Sequence, residues 1–466
     1  MQNLKAGNAE IIRVYRGYIN SKDPASMGLL RPSRFLITEP YEDAILVFNT
    51  LTSALISLSR PEYEALFLKE CSVSPEREPL QKELSDSLFL LPDGVDEYDF
   101  VDDLRFLHTL KDSRQDHINR YYVYTTTGCN ARCSYCYEEG IRIRTMSIGT
   151  AHAAADYMIK HAAGHPLSIT WFGGEPLLNE PVIDIICKKL EEAGCAFESR
   201  IKTNASLFHK DRVPYYRDRY RLNFVQIPLD GIGSDYNQVK SYVNFPAGTD
   251  PFLLVMENAK ALLDAGIRVD FRFNISPDNA SNIASILTEI KTRFSGYEGC
   301  AVYPQVLNEG ASDAFTKEER QLLFEAQKSA YRFLLENGIR IARDRYTLPS
   351  LRLHSCLADD WHAAGISPEG DLYKCPENLN CPHVFGSICD AGSHEDSHEK
   401  EIFFEQQDWL SCKSCPFYPN CVNLKLCVAR GRECDEFHYG FREWKVRRIM
   451  RQIAGGTYSV GESSSR

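Results

Sequence analysis

Hydrophobic and polar residues follow two rhythms along this chain. Within YEDAILVFNTLTSALISLSRPEYEALF (41–67) they alternate as on a half-buried strand, break at Asn49–Thr50, and then take helical spacing. LQKELSDSLFLLPDGVDEYDFVDDL (80–104) adds a helix and a short extended piece, so residues 1–112 are predicted to form a small α+β unit. From Arg120 the pattern changes. Short apolar runs (YYVYTT, LSITWF, FESRIKTN, NFVQIPLD, RVDFRFNIS and CAVYPQVL) alternate with amphipathic stretches such as PVIDIICKKLEEAG and FLLVMENAKALLDAGI. Strand–helix alternation implies parallel strands joined by right-handed crossovers. Six such units predict an α/β fold: a partial (β/α)6 TIM-like barrel over 113–343, with ligands at the C-terminal strand ends. Residues 344–445 are rich in cysteine and loop, with weak periodicity, and are expected to fold around metal. Residues 446–466 read as a polar tail.

Composition narrows the classes. The chain has 466 residues, 43% hydrophobic and 25% charged, which is ordinary for a globular protein. The opening MQNLKAGNAEIIRVYRG has no apolar h-region, and no apolar run reaches membrane-spanning length, so a cytoplasmic protein with no membrane partner is expected. A formal charge of −11 argues against nucleic-acid partners, which call for a basic face. Sixteen cysteines matter more. In a reducing compartment, clustered cysteines read as metal ligands or catalytic groups rather than disulfides. Three fall in one short loop and nine between Cys356 and Cys434, while the scattered Cys71, Cys187, Cys195 and Cys300 read as small buried apolar side chains.

The loop TTGCNARCSYCYEEG holds Cys129, Cys133 and Cys136, spaced C-x3-C-x2-C directly after the first barrel strand. A structural zinc site wants four protein ligands. Three thiolates can instead hold a [4Fe–4S] cluster with one iron left open. Zinc and a disulfide remain the alternatives at this point.

This loop resembles the signature of the radical S-adenosylmethionine (radical SAM) enzymes, C-x3-C-x-aromatic-C, with Tyr135 at the aromatic position. Further marks follow in order, each after a predicted strand: Gly173-Gly174-Glu175-Pro176, then Lys202-Thr203-Asn204-Ala205, then Gln226-Ile227-Pro228-Leu229-Asp230-Gly231. The resemblance implies a cluster on Cys129, Cys133 and Cys136, whose open iron chelates the methionine moiety of S-adenosylmethionine (AdoMet). It implies backbone approach at Gly173 and Gly174, an ammonium acceptor in Glu175, and Tyr135 near the adenine. Asn204 would contact the ribose or carboxylate, and Lys240 would stand where some relatives carry a carboxylate-binding Arg. Pro228 departs from the family's Ser. Reductive cleavage of AdoMet and hydrogen abstraction from a substrate are the implied chemistry.

Downstream, Cys356, Cys375, Cys412, Cys415, Cys421, Cys427 and Cys434 resemble the seven-cysteine SPASM domain, which holds two auxiliary [4Fe–4S] clusters. That resemblance assigns Cys412, Cys415, Cys421 and Cys434 to one cluster and Cys356, Cys375 and Cys427 to the other. Five residues precede Cys427 where the family has three, and Ser350 stands where sulfatase-maturing relatives have an eighth cysteine. The second cluster is therefore expected to have an open iron or to recruit Cys381 or Cys389. A zinc ribbon is the alternative for this segment. SPASM-bearing relatives act on peptides, so the implied function is a peptide maturase forming a thioether or other cross-link. Its partners would be a precursor peptide and an electron donor such as a flavodoxin or ferredoxin. A formylglycine-forming sulfatase maturase is one alternative, although Glu138 replaces that group's Tyr, and a non-enzymatic metal scaffold is another. The N-terminal unit loosely resembles the winged-helix element that binds leader peptides by strand addition.

Overall fold

The computed structural model describes residues 2–20, 30–68, 79–115, 117–136, 138–307, 315–342, 346–354, 356–375, 383–389, 400–406, 410–422, 424–427, 434 and 436–458. Its first part comprises β1 (Gln2–Lys5), α1 (Ala9–Asn20), β2 (Leu30–Pro32), β3 (Leu36–Tyr41), β4 (Ala44–Asn49), β5 (Leu55–Ser59), α2 (Arg60–Tyr63), α3 (Pro79–Asp86), β6 (Leu90–Pro92) and α4 (Glu97–Asp112). An antiparallel sheet runs in the order β1-β5-β4-β3. Both of its faces are covered, which explains the continuous apolar run in β4. Ile45, Val47, Ile56 and Leu58 pack toward Leu84 and Phe89, whereas Leu46, Phe48 and Leu55 pack against Phe417, Val446 and Met450.

The barrel follows: β7 (Arg120–Thr126), α5 (Ile148–His161), β8 (Leu167–Gly173), α6 (Glu180–Glu192), β9 (Phe197–Lys202), α7 (Val213–Arg219), β10 (Leu222–Leu229), α8 (Gly233–Lys240), α9 (Pro251–Asp264), β11 (Arg268–Ile275), α10 (Ile283–Phe294), β12 (Cys300–Val306) and α11 (Lys317–Glu336). Its six strands are parallel and pair in sequence order, as the alternation of elements predicts. Local chemistry sets the helix starts: Ser147, Asp250 and Thr316 each cap a backbone N–H with a side-chain oxygen, and Glu319 completes a capping box with Thr316.

The cysteine-rich segment does not stand apart from this sheet. β13 (Ala363–Ile366) pairs in parallel with β7, and β14 (Asp371–Tyr373) and β15 (Val384–Ser387) continue the ladder, so one sheet has nine strands. Gly365 permits this arrangement, because a Cβ there would sit 2.5 Å from the Tyr373 ring that crosses it. The long helix α12 (Glu436–Ala454) then returns to the first sheet. The polar tail expected from 446 is corrected here: Val446, Ile449 and Met450 are buried, and the helix runs on to Ala454. Arg447 and Arg451 on its polar flank both pair with Glu39, a nearly inaccessible carboxylate on β3. On the other side α4 is tied down by Arg105, which donates to the carbonyls of Arg352 (3.2 Å) and Tyr418 (2.9 Å).

Three histidines mark the N-terminal strand ends. His117 lies between His165 and His362, with ring centroids 3.9 Å away on each side and planes tilted by only 12° and 10°. Asp112 and Arg120 are the charged groups nearest to them. Burial and the two neighbouring rings hold the His117 pKa below the usual histidine value. The unfolded chain therefore takes up this proton first as pH falls, so stability present above about 6.5 is lost below it. We expect the thermal midpoint to drop between pH 7.5 and 5.5, and His117→Gln to flatten that dependence. An unchanged slope in the variant would remove His117 from the account.

Candidate active site

The three-cysteine loop joins β7 to α5, and its two legs are zipped together at the base. Thr127 N donates to Arg144 O (2.9 Å), Met146 N to Thr125 O (2.9 Å), and Thr127 Oγ1 to Arg142 O (2.9 Å). Further out, Cys136 N donates to Cys133 O (3.1 Å), which makes a tight turn between the second and third cysteines. Arg132 N and Val243 N dock the loop beside the end of α8 through bonds to Lys240 O (2.9 Å) and Asn130 O (2.8 Å).

Gly173 and Gly174 allow a close approach, and the partner is this same loop. A Cβ on Gly173 would stand 2.1 Å from Thr126 O, and one on Gly174 2.4 Å from Gly128 O. Gly173 also has φ +131, a conformation that L side chains rarely adopt. Glu175, next in line, is fully buried. Its carboxylate accepts from Leu177 N (3.1 Å), Thr203 Oγ1 (2.8 Å) and Asn204 N (2.9 Å), so it ties the end of β8 to the end of β9. Burial pushes its pKa up to about 7 against these donors. Asn204 in turn donates from Nδ2 to Asn130 Oδ1 (2.8 Å) and lies 3.9 Å from Cys129 Sγ.

A second polar cluster lies across the opening. Lys240 and Asp230, both nearly inaccessible, form an ion pair of 2.7 Å. Lys240 also donates to Tyr135 Oη (3.0 Å). Burial opposes the lysine's charge, but Asp230 and Tyr135 outweigh it and hold its pKa well above the usual value. Asn274, which sequence reasoning passed over, donates to Asp230 Oδ1 (2.8 Å) and to Tyr135 Oη (3.3 Å). Its alternation with Phe273 and Ile275 on β11 was the available signal. The Asn274 Oδ1 is buried without a hydrogen-bond partner, an acceptor suited to a polar ligand.

The thiols fit an iron–sulfur group on the chemistry of their surroundings. Cys129, Cys133 and Cys136 lie close enough to perturb one another, and burial raises all three pKa values, that of Cys129 to about 11. Cluster binding must therefore expel protons. Backbone N–H groups two residues on are aimed at the sulfurs: Ala131 at Cys129 (3.4 Å), Glu138 at Cys136, Ala358 at Cys356 (3.3 Å) and Phe417 at Cys415. Such donors stabilise thiolate and tune cluster potential. Among the described residues no three His, Cys, Asp or Glu side chains converge on a single metal-ion position.

The later cysteines gather in two places. Cys356 lies near Cys427, and Cys375 and Cys427 pack around Ala358, Phe403, Val422 and Leu424. Cys412 and Cys421 flank Cys415. Cys434 is exposed. Cys389 donates from its thiol to Glu369 O (3.5 Å), beside Gly370. Cys381 and Cys71 lie outside the described residues. Cys187 and Cys300 are buried and Cys195 is half-buried.

Two substitutions test the brace. Gly174→Ala forces the loop away from Gly128 and is expected to cost about 1–3 kcal/mol by overpacking. Glu175→Gln sets an amide N–H₂ against donors and is expected to cost about 1–3 kcal/mol. Urea unfolding of each variant checks both, and midpoints equal to the parent's would refute the brace.

Residues 123–290 match the model of the Radical SAM superfamily. Among solved structures, native anSMEcpe with bound AdoMet is 15% identical, with a TM-score of 0.55 over 72% of this chain and 99% of that one. Native anSMEcpe with bound AdoMet and Cp18Cys peptide is 15% identical, with a TM-score of 0.54 over 73% of this chain and 99% of that one. Streptococcus suis SuiB bound to S-adenosylmethionine is 14% identical, with a TM-score of 0.46 over 84% of this chain and 94% of that one. At such identities the likeness to anSMEcpe is one of fold. No curated protein matches the chain. The stretch that matches the Radical SAM superfamily, residues 123–290, is the part of the barrel that carries the three-cysteine loop and the Gly-Gly-Glu-Pro turn, and that stretch is a radical SAM domain.

Proposed function

We propose that this enzyme is a peptide maturase of the SPASM-bearing kind, which oxidatively modifies side chains of a ribosomally made peptide, for example by a thioether or other cross-link. The observation that carries this reading is the second body of thiols built directly onto the barrel through the β13–β7 pairing. Net oxidation of a substrate leaves an electron to be removed, and iron–sulfur sites beside the reaction chamber supply an outlet. The peptide-bound anSMEcpe structure has the same fold over most of its length, which supports a peptide as substrate.

Cys129, Cys133 and Cys136 would hold the AdoMet-binding [4Fe–4S] cluster, framed by Tyr135, Gly173, Gly174, Glu175, Asn204 and Lys240. Cys412, Cys415, Cys421 and Cys434 would hold one auxiliary cluster, and Cys356, Cys375 and Cys427 the other. When bound, these groups supply hydrogen-atom abstraction from an unactivated C–H bond and an outlet for the remaining electron. The protein's own part is positioning and exclusion of water. Lys240 and Asn274 orient the Tyr135 hydroxyl. Tyr124, Phe172 and Tyr373, all buried, pack ring against ring (5.0 and 5.9 Å between centroids) and close one side of the lumen.

A flavodoxin or ferredoxin is the electron donor we favour. The N-terminal unit is our candidate for leader-peptide recognition. Because the sheet order is β1-β5-β4-β3, an added strand must pair with the edge strand β1 or β3, or displace one of them. Among the described residues no helix is long and apolar enough to cross a membrane.

Anaerobically reconstituted enzyme should bind about 12 irons per chain, and a Cys129/Cys133/Cys136→Ala triple variant about 4 fewer. With AdoMet, reductant and the peptide encoded beside its gene, it should release 5′-deoxyadenosine and a product lighter by whole pairs of hydrogens. Formylglycine from a sulfatase-derived Cys or Ser peptide would favour the alternative maturase. Zinc without iron would sink both.

A further inference from the structure

Strand alternation separates the two faces of the barrel sheet. Ile201 of β9 and Phe271 of β11 point into the core beneath the helices, so their neighbours Lys202 and Arg272 face the lumen. Register places these two cations close to one another. Lys202 pairs with Gln226, Gln226 with Asp270, and Pro228 with Arg272. Two strand spacings and one two-residue step put their Cα atoms roughly 10–12 Å apart, within reach of two long side chains bent toward one group.

Both sit directly beneath the polar shell described above. Lys202 precedes Thr203, which holds Glu175, and Arg272 lies two residues before Asn274. Among the described residues neither has an ion-pair partner. The Lys202 ammonium lies over aromatic faces, 5.1 Å from the Tyr122 ring centroid and 4.8 Å from that of Phe172. The Arg272 Nε is buried with no hydrogen-bond partner. One layer lower the situation differs, for Arg200 is neutralised by Glu198 at 2.9 Å. Asp270 has a partner of its own. Two half-buried cations without a counter-ion, walled by aromatic rings, are costly to maintain unless a negative group completes them.

We propose that Lys202 and Arg272 form a carboxylate clamp for the substrate, recognising an acidic side chain next to the residue that reacts. The inference rests on the reading of the substrate as a peptide. Arg272 offers a planar fork to the carboxylate, and Lys202 adds a point charge backed by the Tyr122 and Phe172 faces. AdoMet carries a carboxylate too, so the test must tell the two sources apart.

Three probes serve, titrated calorimetrically into AdoMet-loaded holoenzyme: acetyl-Ala-Cys-Glu-Ala-amide, its Gln analogue, and glutarate. The Glu peptide is expected to bind at least about tenfold more tightly than the Gln peptide, as a charge-assisted pair implies. A Lys202→Met/Arg272→Met double variant should lose that preference while keeping AdoMet affinity within about twofold, and Lys202→Arg should retain most of the preference. Retained AdoMet binding also shows that the variant is folded. Equal binding of the two peptides to the parent overturns the clamp. So does a double variant that loses AdoMet affinity and keeps the peptide preference, since the cations then serve the cofactor. If neither peptide binds but glutarate does, and only in the parent, the clamp stands and the peptide reading falls. If glutarate fails as well, the clamp falls with it.

Discussion

A buried carboxylate organises the mouth of this barrel. Glu175 receives hydrogen bonds from its own strand end at Leu177 and from Thr203 and Asn204 at the next. A group so deeply buried would destabilise the fold if its acceptors went unmet. Its satisfaction therefore locks the ends of β8 and β9 together. Gly173 and Gly174 add the other half of the constraint by letting the β7 loop settle onto the β8 end at a spacing no side chain would permit. The three thiols inherit their positions from this junction. Cys129 follows Gly128, which accepts the Glu175 N–H at 2.9 Å, and Asn204 reaches back to Asn130.

The same junction explains why the opposite wall is built from paired charges. Lys240 and Asp230 neutralise one another out of solvent, and through Tyr135 they fix the third-cysteine end of the loop from the far side. A buried pair of this kind adds little net stability, since desolvation offsets most of the attraction. Its geometric effect is larger: Tyr135 is held by two donors, and its ring cannot swing away without leaving a charge behind. The loop is thus clamped between a carboxylate brace on β8–β9 and an ion pair linking β10 to α8.

Much of this was readable in the sequence, though not always for the reason that the residues suggest. Strand–helix alternation over 120–342 led to the parallel barrel because each strand is covered on its outer face and each helix is amphipathic. Cysteine spacing located the loop. Gly173, Gly174 and Glu175 were legible as important, and in the structure they contact neighbouring strand ends and the three-cysteine loop. Sequence adjacency cannot distinguish a glycine that admits a ligand from one that admits a neighbouring loop. The β13–β7 pairing was illegible: Ser367-Pro368-Glu369-Gly370 marks a turn after AAGI, but four residues without alternation do not say which strand they pair with. α12 went unread because its buried positions, Val446, Ile449 and Met450, are interspersed with arginines whose stems pack while their heads reach Glu39. The histidine stack could not be foreseen, because His117, His165 and His362 meet only when three strand starts align.

The pairing that sequence reasoning missed is also the one that closes the chamber. Six parallel strands leave a barrel open along β7, with an unpaired edge and a lumen exposed to water. β13 takes that edge, and the turn into β14 carries Tyr373 across Gly365 into contact with Tyr124. A side chain at 365 would push the ring out of the lumen, and a broken β13 would remove the wall and the edge protection together. The cysteine-rich segment is therefore part of the barrel wall rather than an appendage to it. Cys375 lies two residues beyond the end of β14, so a change in the β13–β14 hairpin must act on the wall and on that thiol at once.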